Sequence, residues 1–292
     1  MLSIDELWQQ NKALWNDCFH DDKAFVDLYF SQVAKPENTY YIEREGRLAC
    51  VMQALPYELA LGSVNWRAAY LSGIATLPEF RCQGLATSLI RKVHDSLIER
   101  GFVVSLLIPA SESLADFYTK QAGYTLLTRV RDVNVVCTDN EVAAGFSLRA
   151  VDTQEALAEA YRQSNLSDIL SVRHSSAQLN VVWEVWRQAE GNVWALYNDA
   201  DGAYEGLAFC GRTSDGSVRV SDCVAQNRDK QQQLLLCLSR LYHPARLIFK
   251  EQLPAQTGKG RPYAMIKVLQ PDLISLNMLQ LSNLRMNLMM DE

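Results

Sequence analysis

Residues 70–90 read YLSGIATLPEFRCQGLATSLI. An apolar strand, Trp66 to Leu77, stops at Pro78. A short polar turn follows, Arg81-Cys82-Gln83-Gly84, and then the clearest helix of the chain. Leu85, Leu89, Val93 and Leu97 recur every fourth residue, with Ala86 and Ile90 beside them. Arg100-Gly101 ends that helix with a basic last turn and a glycine suited to a left-handed cap. Strand, tight turn and helix in this order point backbone N–H groups and the positive end of a helix dipole at one spot, which suits a pyrophosphate. Gly84 lets backbone approach an anion closely, Ala86 keeps the next approach point small, and Arg81 adds charge at the rim.

Outward from this junction, two helices are expected first: Asp5 to Phe19, and a second from an N-cap at Asp21 with Phe25, Leu28, Tyr29 and Val33 on one side. Strands follow at Thr39–Ile42 and at Leu48–Leu59, the latter ended or bent near Pro56. After the long helix come a buried strand Phe102–Ile108, a short helix capped by Ser113 and running to Ala122, and extended chain from Gly123 to Cys137. The second half repeats this order without repeating the sequence. Asp152 and Glu155 suggest a capped helix, and Leu179, Val182, Trp183 and Trp186 mark another. Strands 192–198, 203–212 and 217–225 follow, then a helix 229–241, strand 246–250, the loop Thr257-Gly258-Lys259-Gly260, strand 263–269 and a last helix opened by Pro271. Two α/β (α+β) domains are therefore expected, at 1–138 and 145–292, each a mixed, mostly antiparallel sheet flanked by helices. The polar stretch Asp139–Gly145 marks the boundary.

Arg81-x-x-Gly84-x-Ala86 resembles the pyrophosphate loop of the GCN5-related N-acetyltransferase (GNAT) superfamily. The run Gly73–Arg81 is similar to that family's strand 4 and its lead-in, Phe102–Ile108 to its strand 5, and Phe117-Tyr118 with Gly123-Tyr124 to its end-of-domain signature. The resemblance covers about residues 1–137. Domain order and length resemble the two-domain type with a degenerate second GNAT-like copy, related to enhanced-intracellular-survival-type acetyltransferases.

That resemblance implies acetyl-CoA as co-substrate, without a metal, and transfer of its acetyl group to a primary amine of a small molecule or peptide by direct attack in a ternary complex. Backbone groups of Ile74, Ala75 and Thr76 would pair with the pantetheine arm, one amide serving as oxyanion donor. The amides of Cys82, Gln83, Gly84, Leu85, Ala86 and Thr87 would wrap the pyrophosphate, with Arg81 beside it. Tyr118 is the family-matched general acid. The family spacing from this Tyr to the Gly is four residues. Here Tyr118 to Gly123 is five, and one extra helical residue rotates a side chain by roughly 100° unless a bulge absorbs it. Glu58, Glu79 and Glu112 are the carboxylates near the expected site, and a water chain is an equal candidate for the base. An acyl-CoA-binding or regulatory protein of the same fold without turnover is the alternative.

Composition agrees. The chain has 292 residues, 48% hydrophobic and 21% charged, enough for two cores. A net charge of −6 disfavours a nucleic-acid coat. No apolar run is long enough to span a bilayer, and the acidic start does not read as a signal peptide, so no membrane partner and a cytoplasmic location are expected. Seven scattered cysteines, at 18, 50, 82, 137, 210, 223 and 237, read as free thiols, and the four histidines stand alone. A homo-oligomer is compatible with all of this. Cys82 reads as a small tolerated residue, His94 as a solvent-facing one, and the tryptophans Trp183, Trp186 and Trp194 as core. The second half's counterpart of the anion loop, Ala225-Gln226-Asn227-Arg228-Asp229-Lys230, lacks glycine, so that half is not expected to bind CoA. It is expected to wall the acceptor site.

Overall fold

The computed structural model describes residues 2–135, 145–164, 170–243, 246–281 and 284–288. Cys137, the expected boundary at 139–144 and the final Glu292 lie outside the described residues. In chain order, α1 (Ile4–Phe19) and α2 (Lys23–Leu28) precede β1 (Thr39–Arg44), β2 (Arg47–Leu61) and β3 (Val64–Thr76). Then come α3 (Leu85–Glu99), β4 (Val104–Leu107), α4 (Glu112–Phe117), β5 (Thr125–Leu126) and β6 (Thr128–Val135). The rest comprises β7 (Phe146–Ala150), α5 (Gln154–Gln163), β8 (Ser171–Arg173), α6 (Ser176–Gln188), β9 (Asn192–Asn198), β10 (Tyr204–Arg212), β11 (Val218–Ala225) and α7 (Arg228–Tyr242). It closes with β12 (Leu247–Pro254), β13 (Arg261–Pro262), β14 (Met265–Val268) and α8 (Leu276–Leu281).

Local chemistry sets several ends differently from the sequence expectation. Asp22, not Asp21, caps α2 by accepting from Ala24 N–H at 2.7 Å, while the Asp21 carboxylate accepts from the Trp15 indole at 2.8 Å. Ser111, not Ser113, caps α4, and Thr153, not Asp152, caps α5. The strand β2 runs through Pro56 without a break. Pro271 lies in a turn, and α8 starts only at Leu276.

Two compact units emerge, and neither is one continuous segment. The first holds residues 1–58, 66–128 and 262–281; the second holds 59–65, 129–261 and 282–292. The first unit's sheet runs β1-β2-β3-β4-β14-β5, and the second's β13-β6-β12-β11-β10-β9-β7. The strand expected to finish the second half, β14, thus sits in the first sheet, antiparallel to β4 with Met265 opposite Leu107, and antiparallel to β5 with Met265 opposite Leu126. Conversely β6, expected in the first half, lies between β12 and β13 of the second sheet. The loop Thr257–Gly260 connects β12 to β13 across β6, so it does not close a hairpin between neighbouring strands. Gly260 is required there, since a Cβ would sit 2.3 Å from the Val130 carbonyl oxygen.

In the first unit, α3 buries Leu89, Ile90, Val93 and Leu97 against Cys50, Met52 and Ala54 of β2, together with Met265 of β14. Leu7 and Leu14 of α1 pack with Leu48, Val51 and Ala75. Val51 and Met52 thus face opposite sides, as in a strand covered on both faces, and a bulge at Ala49 resets the alternation so that Leu48 joins Val51. In the second unit, Leu157, Val182 and Trp186 pack with Ala195, Leu207 and Phe209, and Leu234 and Leu238 with Ala208, Cys210 and Val220. Trp183 packs against the first of these clusters and Trp194 against the second.

Candidate active site

In the first unit, β3 pairs in parallel with β4 only over Ala68–Tyr70, opposite Val104–Leu106. Beyond Tyr70, β3 continues to Thr76 without β4, which opens a cleft between the two strands. Gly73, just past the last pair, has φ +59. A Cβ there would lie 2.3 Å from the Trp15 ring and 2.5 Å from the Gln53 amide, so glycine permits both the conformation and the close approach of α1.

The turn into α3 is built from two left-handed residues, Cys82 at φ +60 and Gly84 at φ +73. Gly84 is the N-cap of α3, and no side chain caps the helix. Among α1 to α7, α3 alone lacks such a cap. Its first-turn amides have no intrahelical acceptor and are presented outward. They open on a pocket of about 390 Å³.

The expected site residues gather there. Ile74, Ala75 and Thr76 line one wall, and Arg81, Cys82, Gly84, Leu85, Ala86 and Thr87 line another. Gln83 is not in the lining; its amide donates to the Glu79 carbonyl at 3.1 Å and braces the turn. Arg81 donates through Nε to the Thr76 carbonyl at 3.0 Å, fastening the turn to the end of β3. Its Nη2 lies 3.7 Å from the Cys18 sulfur. Cys18, at the end of α1, also lines the pocket, and no sequence signal marked it. Phe80, Leu114 and Phe117 add apolar surface.

Tyr118 completes the wall at 7% exposure, and its hydroxyl makes no hydrogen bond among the described residues. Burial pushes it up to about 12, with the nearby Cys50 thiol acting in the same direction. The extra residue before Gly123 is taken up by a π-helical turn, Tyr118–Ala122, whose next residue, Gly123, returns its N–H to the Tyr118 carbonyl.

Behind Tyr118 lies a buried polar group that sequence reasoning misplaced. His94 is 7% exposed rather than solvent-facing, and its Nε2 lies 3.0 Å from the Tyr124 hydroxyl. The Tyr124 hydroxyl is also 2.6 Å from Ser105 Oγ. Burial, then the Lys267 ammonium, lowers His94 to about 4. The ring of Tyr124 meets that of Tyr118 edge-on at 6.2 Å. His94 falls four residues after Ile90 and three before Leu97, a spacing that would have placed it on the flank of the buried face.

None of the three carboxylates considered as bases lines the pocket. Glu79 pairs with Arg47 at 2.6 Å and is held below its ordinary range by a backbone hydrogen bond and that arginine. Glu58 and Glu112 are exposed. Among the described residues there is no group of three or more His, Cys, Asp or Glu placed to hold a metal, and no helix is long and apolar enough to cross a membrane.

Residues 3–127 match the model of the acetyltransferase (GNAT) domain. A curated relative, aminoglycoside N(6')-acetyltransferase type 1 of Acinetobacter baumannii, is 29% identical over 83 residues, 28% of this chain and 56% of that protein. The match thus spans little more than half that relative's length. A conserved protein from Enterococcus faecalis V583, described as a probable N-acyltransferase, superposes with a TM-score of 0.72 at 15% identity, over 92% of this chain and 71% of that one. Eis1 of Mycobacterium abscessus does so with a TM-score of 0.66 at 13% identity, over 94% and 74%. At such identities the likeness is one of fold, and it extends across both units. The residues that match the GNAT domain model make up most of the first unit, and across both units the fold is similar to that of a tandem GNAT protein from the clavulanic acid biosynthesis pathway, with a TM-score of 0.50 at 12% identity over 92% of this chain and 97% of that one.

Proposed function

We propose that this chain, with its GNAT domain over residues 3–127, is an acetyl-CoA-dependent N-acetyltransferase that moves an acetyl group to a primary amine. The observation that carries the reading is the uncapped N-terminus of α3, opening on the pocket where β3 leaves β4. An N-terminus without an internal acceptor suits a pyrophosphate in both hydrogen bonding and dipole. In this reading the amides from Cys82 to Thr87 hold the pyrophosphate and Arg81 lies at its rim. The freed backbone of Ile74 to Thr76 pairs with the pantetheine arm and supplies one N–H to the carbonyl oxygen as it becomes an oxyanion. Holding amine and thioester in line supplies much of the rate. The neutral amine attacks the carbonyl carbon, the C–S bond breaks, and the Tyr118 hydroxyl donates to the sulfur as charge develops on it. The ammonium's proton leaves through water, since among the described residues no carboxylate lines the pocket. The protein works in the cytoplasm.

A pocket lined by no carboxylate among the described residues also favours a second reading, a CoA-binding or regulatory protein without turnover. Acetyl-CoA consumption by the full chain, followed as thiol release across a panel of polyamines, aminoglycosides and peptide amines, separates the two. Amine-dependent release supports the enzyme; tight CoA binding with no release for any amine sinks it.

A further inference from the structure

We propose that Tyr124 is the positioning residue for Tyr118: its hydroxyl, tied to Ser105 of β4 and His94 of α3, holds the π turn in register and so keeps Tyr118 facing the pocket. The three side chains come from separate elements and meet at one point. Tyr124 is 1% exposed, Ser105 0% and His94 7%. The Tyr124 hydroxyl lies 2.6 Å from Ser105 Oγ and 3.0 Å from His94 Nε2. It carries one hydrogen, so it donates to one partner and accepts from the other. Ser105 is fixed from both sides of β4, opposite Ala69 of β3 and Lys267 of β14. It stands one residue before Leu106, where the pairing of β3 with β4 ends and the cleft opens. His94 is held on α3 by its core neighbours Val93 and Leu97.

Tyr124 reaches from that point to Tyr118. Its N–H donates to the Tyr118 carbonyl at 3.2 Å, and its ring meets the Tyr118 ring edge-on at 6.2 Å. The turn between them, Tyr118–Ala122, is π-helical. A π turn is rare and holds one residue more than an α turn. Upstream, α4 is capped by Ser111 and buries Ala115 in the core. Downstream, the hydroxyl pins Tyr124. With both ends held, the extra residue fits only as a π turn. Freed at the Tyr124 end, the turn can relax to the α register, a rotation of roughly 100° across it.

Tyr118 depends on this support. Its hydroxyl makes no hydrogen bond among the described residues, so its aim is set by its ring contacts and its backbone. Phenylalanine at position 124 would bury the same ring. What the hydroxyl adds is direction, since two bonds to rigid elements fix where the ring lies. The effect on turnover rests on the acetyltransferase reading above, in which Tyr118 donates to the departing sulfur; the placement of Tyr118 does not.

The test uses the full chain labelled with ¹³Cζ-tyrosine, the Tyr118 resonance being the one lost in Tyr118→Phe. In the wild type that resonance should stay protonated where ordinary tyrosines titrate, near about 10. In Tyr124→Phe it should titrate with them, as the ring reaches water. Ser105→Ala, which keeps Tyr124 and removes one bond, should move it the same way, and so should His94→Leu. His94→Gln, which keeps a polar atom near the place of Nε2, should restore the wild-type behaviour. With acetyl-CoA and an amine, Tyr124→Phe should lower kcat about tenfold at unchanged KM for acetyl-CoA, and not lower it further in the Tyr118→Phe background. A general loss of stability would act equally in both backgrounds, and that result overturns the proposal. An unmoved Tyr118 resonance in both Tyr124→Phe and Ser105→Ala overturns it too, whether or not any amine is acetylated. A moved resonance in a chain that acetylates no amine upholds the placement and sinks the acetyltransferase reading instead.

Discussion

The carbonyl of Tyr118 accepts from the N–H of Gly123, five residues along, and also from that of Tyr124 at 3.2 Å. This π turn lets the chain carry one residue more than the usual family spacing while Tyr118 still faces the pocket. Gly123 closes the turn at φ +71.

Tyr118→Phe is expected to lower kcat by about 10²-fold with little change in KM for acetyl-CoA, the loss of one proton donor. Because burial holds Tyr118 at about 12, the hydroxyl stays protonated through the working range. The wild-type to variant ratio of kcat should thus stay flat from pH 7 to 10. A ratio that collapses near pH 9 would place the ionising donor elsewhere.

At the helix end, Arg81→Ala is expected to weaken CoA binding about tenfold. Gly84→Ala acts differently. Its Cβ meets nothing within 4 Å, but φ is +73, so the cost is conformational, about 1 kcal/mol of stability. The same change perturbs the first-turn amides and should raise the CoA Kd. Calorimetric titration beside thermal unfolding separates the two effects.

Gly73→Ala should be the severest small substitution in the first unit. It combines a left-handed backbone with contacts of 2.3 Å to Trp15 and 2.5 Å to Gln53. About 3 kcal/mol or more of destabilisation is expected, read from the urea midpoint. A near-neutral result would show that α1 can move away from β3.

Acid should weaken the fold through its buried histidines. Burial lowers both His94 and His174 to about 4, whereas an unfolded histidine takes up a proton near 6.5. Between those values the unfolded state binds more protons. The stability is therefore complete above about pH 6.5 and lost as pH falls towards 4. Each histidine steepens the fall by up to ~1.4 kcal/mol per pH unit. Urea unfolding at pH 7.5 and pH 5 measures this, and His94→Gln should flatten it.

A fragment of residues 1–138 should not fold as the first unit does. It lacks β14, which fills the gap between β4 and β5. Both strands would be left as bare edges, and Leu107 and Leu126 would lose Met265 opposite them. Supplying residues 262–281 as a peptide should restore a cooperative transition in thermal unfolding. A fragment that is cooperative alone would contradict this.

The sequence by itself determined the junction from Tyr70 to Ile90: the strand, the turn at Arg81–Gly84, the long helix and the pocket residues around them. Its information is local, because a turn, a helix N-terminus and an apolar stripe are all written in neighbouring residues. Most helices and strands of both halves were legible too, through the alternation of strand and helix periodicities, whereas β8, which parts α5 from α6, was not. Tertiary structure alone decided which sheet each end strand joins. A four-residue strand with three apolar residues, such as Met265–Val268, fits any open slot between buried strands, and the partner is selected by what lies opposite, not by the strand's own pattern. Three-dimensional packing likewise brought Cys18 to Arg81, sank His94 onto Tyr124 and set two arginines from distant segments, Arg228 and Arg285, around one cavity. Each of these depends on side chains far apart in sequence, whose proximity only the folded backbone supplies.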